Sequence, residues 1–151
     1  LPRATDRPFQ VVMLYDPRDY VQVQDWAARG WHLVDPVIPS ADTGAFQDFV
    51  RGSAAEFSVA KDGYVLGRSA WFSDRSVWYL ASSRPVILQD TGFSRHLPVR
   101  TGLLTFSNPG EAAEAVQRLG RDFSLHVRKA ASIAREYFEA GRVLKHLLER
   151  V

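Results

Sequence analysis

Short apolar runs rich in β-branched residues alternate along this chain with longer stretches in which apolar residues return every three or four positions. Phe9 to Leu14 (FQVVML) reads as a buried strand closed by Asp16-Pro17. Residues 18–29 read as a helix, with Asp25 and Arg29 four apart and Gly30 at its C-terminal stop. Trp31 to Val34 is the next strand. A helical segment then runs from Asp42, with Phe46, Phe49 and Val50 on one face, to Gly52-Ser53. Glu56 to Lys61 (EFSVAK) is a strand, and 62–72, with Gly63 and Gly67, is a loop. Asp74 to Ser82 is a helix preceded by Ser73, and Pro85–Leu88 and Leu103–Phe106 are strands. Asn108-Pro109-Gly110-Glu111 reads as N-cap, N1, N2 and N3 of a helix that stops at Gly120. Residues 121–138 form a longer helix. A last one follows Gly141, with Val143, Leu144, Leu147, Leu148 and Val151 spaced for packing.

Near-continuous apolar strands alternating with helices are the signature of parallel strands covered on both faces. The expected fold is α/β: a three-layer Rossmann-like sandwich with a mainly parallel sheet of about five strands and extra C-terminal helices. A chain of 151 residues makes one domain of ordinary size. The expected division is a disordered or linker remnant over 1–8 and a single domain over 9–151.

Composition removes several function classes. There is no cysteine, so disulfides, thiolate zinc sites and cysteine nucleophiles are out, which fits a cytoplasmic protein. A net charge of +2 gives no field suited to nucleic acid or an anionic membrane. No apolar run approaches the roughly 18 residues of a membrane span. The dinucleotide fingerprint, the Walker loop and the G-x-S-x-G elbow are absent. His32, His96, His126 and His146 lie in different elements without metal-binding spacing. Only His96 falls in a candidate loop, where a surface role is the plainer reading.

Open parallel sheets bind ligands at the carboxyl ends of their strands. The loops to inspect are therefore 15–18, 35–42, 61–73, 89–96 and 106–109. Free amides and the dipole at the start of the Asp74 helix favour phosphate. Ser73 to Ser76 mark that start, and Lys61, Arg68 and Arg75 can supply positive charge. The plainer alternative is that Ser73 is only a cap, Arg75 pairs with an acidic neighbour and Lys61 is solvated. Gln89-Asp90-Thr91-Gly92-Phe93 is the second cluster. It reads either as a ligand loop that uses Gly92 for close approach, or as an Asx-type turn.

Some stretches carry more than composition. Ala55 to Lys61, Trp71 to Val86 and Gln89 to Phe93 resemble the donor-binding half of GT-B glycosyltransferases. They look most like a bacterial subgroup with the pattern EFSVAK, GWFSDRS, YLASGRPVVVQDTGF. The resemblance covers nearly all of residues 30–151. It implies a Rossmann-like domain that holds a nucleotide sugar, with the Asp74 helix pointing its N-terminus at the diphosphate. Donor-binding residues would be Lys61, Ser73, Asp74, Arg75, Ser76, Thr91, Gly92 and Phe93, with no metal and no cofactor beyond the nucleotide-sugar substrate. The general base and acceptor site would lie on an N-terminal partner domain, so no catalytic residue is assigned here. A truncated chain would expose the face meeting that domain and invite oligomerisation, and would be inactive alone. The likeness has gaps. Ala70 and Trp78 stand where many relatives carry glutamates, and Ser83 stands where the subgroup has glycine. A non-catalytic interaction or regulatory domain that kept the fold is the alternative. A weaker alternative is another phospholigand-binding domain, with Asp16 or Asp35 as the strand-end nucleophile.

Overall fold

A parallel strand pair needs a crossover, and helices predicted between the apolar runs supply it between Phe9–Val12 and Trp31–Val34 and between Glu56–Ser58 and Val86–Gln89. The computed structural model describes residues 1–16, 18 and 20–149. The chain falls into two compact units, Leu1–Phe49 and Val50–Val151, with the boundary inside one helix.

The first unit contains a one-turn helix α1 (Pro2–Thr5), strand β1 (Phe9–Val12), helix α2 (Tyr20–Ala28), strand β2 (Trp31–Val34) and most of helix α3 (Thr43–Gly52). β1 and β2 pair in parallel, with Phe9 opposite Trp31 and Val12 opposite Val34. The predicted Arg29–Asp25 pair closes at 2.7 Å, and Gly30, at φ 92°, ends the helix. Met13 and Leu14, expected in the first strand, lie beyond its end. They line a groove of about 440 Å³ with Tyr15, Leu33, Val34, Asp35 and Pro36.

The second unit contains strands β3 (Glu56–Ser58), β4 (Val86–Gln89) and β5 (Leu103–Phe106), paired in parallel in that order. Helices α4 (Asp62–Leu66) and α5 (Asp74–Ala81) lie between β3 and β4. Helices α6 (Pro109–Arg121), α7 (Phe123–Tyr137) and α8 (Ala140–Leu148) follow β5. Val86, Ile87 and Leu88 are buried in succession, so both faces of the central strand are covered. α6 packs on β4 and β5, and α7 on β5 and α5. Leu80, Val86 and Leu103 are fully buried.

The fold is thus α/β with parallel strands, compatible with a Rossmann-like sandwich. The five expected strands are present, but they form sheets of two and three rather than one sheet of five. Two segments depart from the periodicity. Residues 62–66 form α4 inside the expected loop, and β4 is followed only by a 3-10 turn at Phe93–Arg95. The apolar face of α8 is spaced for packing, yet the helix buries none of its residues. Val143, Leu144, Leu147 and Leu148 remain exposed, and Val151 lies outside the described residues.

The end of α5 shows why glycine would suit position 83. The Arg84 amide donates to the Tyr79 carbonyl and the Ser83 amide to the Leu80 carbonyl, closing a Schellman motif. Ser83 holds the left-handed position at φ 59°, which costs a side-chain-bearing residue about 1–2 kcal/mol. Ser83→Gly is therefore expected to stabilise the chain by roughly 1 kcal/mol, a rise of about 2–4 °C in melting temperature. A melt unchanged or lowered by the substitution would refute this account of the helix end.

β5 is fixed to α7 at its first turn. The Gly102 amide donates to His126 Nδ1 at 3.1 Å, and His126 is buried. Burial first, and then the Arg118 charge, hold this imidazole's pKa below its ordinary 6.5, with Asp122 opposing. Protonation would also remove the acceptor. The folded state thus binds fewer protons than the unfolded one between the two pKa values. Stability should be complete above about pH 6.5, fall as pH drops below it, and level off beneath the folded value. Melting temperatures from pH 8 to 5 should show this decline, and His126→Asn, which offers a non-titrating acceptor, should flatten it.

Candidate functional site

The carboxyl ends of β3 and β4 carry both sequence-predicted clusters, and the structure joins their loops. The Ala70 amide donates to the Thr91 carbonyl at 2.9 Å, and the Thr91 hydroxyl donates to the Trp71 carbonyl at 2.7 Å. Thr91 is only 1 % exposed. Gly92 takes φ 103°, and a Cβ there would come within 3.2 Å of the Arg68 carbonyl oxygen. Close approach of the two loops, together with the positive φ, is what requires glycine. Arg68 and Ala70 themselves sit at φ 44° and 57°, so this loop is bent tightly to meet its neighbour.

Asp90 makes the Asx-type turn. Its Oδ1 accepts from the Gly92 amide at 2.9 Å and its Oδ2 from the Ser94 hydroxyl at 2.6 Å. Gln89 Oε1 accepts from the Ala60 amide, tying the end of β4 to the segment after β3. Phe93 is buried, edge-on to Phe72, which in turn stacks on Phe138. Thr91, Gly92 and Phe93 therefore hold up the loop that leads into α5, with the Thr91 hydroxyl and the Phe93 ring committed to internal contacts.

At the start of α5, Ser73 is the N-cap. Its Oγ and Asp74 Oδ1 both accept from the Arg75 amide, at 3.3 and 2.8 Å. Ser76 is buried, and its Oγ has no hydrogen-bond partner. Arg75 turns back along β3: Nε donates to Glu56 Oε1 at 2.7 Å and Nη2 to Ser58 Oγ at 2.9 Å. Among the described residues Glu56 is the one buried carboxylate, and its Oε2 is also unpartnered. Burial, helped by the Glu56 charge, raises the pKa of Tyr79 against the opposing effects of the Ser53 hydrogen bond and the Arg75 charge.

Lys61 is exposed at the N-cap of α4 and makes no side-chain bond or ion pair among the described residues. His96 is exposed as well. In the sequence Glu56 and Ser58 read only as strand residues. The available signal was a carboxylate at the head of an apolar strand, which burial obliges to find a cation. Among the described residues, no three of His, Cys, Asp and Glu gather as metal ligands would. No described helix is long and apolar enough to cross a membrane.

Comparison with family models, with curated protein sequences and with solved structures gave no match.

Proposed function

We propose that the second unit binds the diphosphate of a nucleotide sugar at the start of α5, as the donor-binding part of a GT-B glycosyltransferase. The observation that carries this reading is the placement of the α5 N-terminus. It lies at the carboxyl end of parallel strands, on a loop held by a buried threonine, and it has an unpartnered hydroxyl in its first turn. The motif resemblance supplies the chemical class. In the complete reaction an acceptor hydroxyl attacks the anomeric carbon and the nucleoside diphosphate leaves. Helix amides and nearby cations stabilise the charge that grows on the leaving phosphate. The base and acceptor site belong to a second domain in this reading, and a cytoplasmic location goes with it.

Calorimetric titration with UDP, GDP and dTDP tests the proposal. Saturable binding of at least one is expected, and a folded chain that binds none of them defeats it.

A second reading has its own support. Ser73 and Asp74 already occupy the Arg75 amide, and the Arg75 guanidinium already has a carboxylate. A domain that kept the fold and lost the chemistry would show this self-sufficiency, and would stay silent in the same titration.

A further inference from the structure

The Glu56–Arg75 pair has a direction. Glu56 opens β3 and Ser58 closes it, so the bonds from Nε to Glu56 and from Nη2 to Ser58 lay the guanidinium along the strand. Its Nη end lies at the carboxyl end of β3. Arginine has five N–H donors, and these two bonds leave three. Half of the Arg75 side chain is exposed, whereas Glu56 is 4 % exposed. Arg75 is also the second residue of α5, so its side chain leaves from the first turn of that helix. A second feature of that turn is independent of the pair. The Ser76 hydroxyl is buried and unpartnered, and Cα–Cβ bonds in a helix lean toward its N-terminus.

We infer that Arg75 contacts the bound phosphate with its free Nη donors, and that Glu56 and Ser58 are positioning residues that aim it. This rests on the anion site proposed above and adds the device that orients its cation. Glu56 removes one donor and much of the net charge, and in exchange removes rotamer freedom from a long side chain. The result is a fork whose angle is set before the ligand arrives.

Charge counting and positioning predict opposite signs, which makes the inference testable. Deleting a carboxylate beside an anion site should tighten binding if only net charge matters. If Glu56 positions Arg75, its removal weakens binding. Inorganic pyrophosphate, which has no base or sugar, is the probe, titrated at fixed ionic strength into wild type and into Glu56→Gln, Ser58→Ala and Ser58→Thr. Glu56→Gln should bind about tenfold more weakly and Ser58→Ala about threefold more weakly, as loss of an orienting hydrogen bond would give. Ser58→Thr, which keeps the hydroxyl, should bind like wild type. Ser58→Ala changes no charge and tests the idea even if Glu56→Gln fails to fold. Variants that bind pyrophosphate as tightly as wild type, or more tightly, overturn the positioning role alone. A folded wild type that ignores pyrophosphate overturns the anion site and Arg75's contact together.

Discussion

Gly102→Ala is expected to unfold about 10 °C below the wild type. Gly102 has φ 82°, and an added Cβ would stand 2.5 Å from the Ala130 nitrogen and 2.7 Å from the Lys129 carbonyl carbon. Both are backbone atoms of α7, so no side-chain rotation relieves the clash. The left-handed conformation costs about 1–2 kcal/mol, and displacing packed backbone costs about 1–3 more. Their sum is a large share of the roughly 5–15 kcal/mol that holds a domain together. The His126 bond to this same amide would stretch as α7 moved, so the loss would not stay local. A thermal melt followed by circular dichroism reads the effect directly. A shift below about 3 °C would mean that α7 is free to move away from β5.

Arg75→Met should cost about 2–3 kcal/mol while keeping most of the aliphatic packing. Removing one partner of a buried pair leaves the other charge without compensation, typically worth about 3–5 kcal/mol. The lower value applies because Arg75 is half exposed and water reaches the pair. The double variant Glu56→Gln with Arg75→Met should lose less than the two single losses added, since it strands no charge. Urea denaturation of all four proteins gives the coupling. Strict additivity would show that the 2.7 Å contact does not couple the two side chains.

Local chemistry was easily read from the chain. Asn108 caps α6 through the Glu111 amide, and the Glu111 carboxylate answers with bonds from the Ser107 amide and the Asn108 side chain. Trp31–Val34 and Leu103–Phe106 are strands with the expected bounds. These features depend on neighbours within a few residues, and their spacing records them. The split into two sheets depends on which strands find each other, and apolar runs do not encode partners. The sequence does not signal α4, because five residues with three consecutive apolar positions give no measurable period. The first turn of α5 was legible as a cap and its pairing was not. Arg75 finds its carboxylate 19 residues back in the chain, on β3. Position 83 shows the opposite case, where a demand of the backbone is visible although the residue present does not meet it.

The buried Thr91 has a consequence for how the chain breaks. Residues 67–73 make an irregular connection with Trp71 exposed, the kind of segment a protease usually cuts first. Cleavage needs a loop to straighten into an enzyme's groove. Here straightening must first take the Ala70 amide and the Trp71 carbonyl off a buried residue seated two positions beyond the central strand. Digestion of this stretch should therefore wait for the sheet itself to open, so that an outwardly soft surface loop is surrendered only with the core.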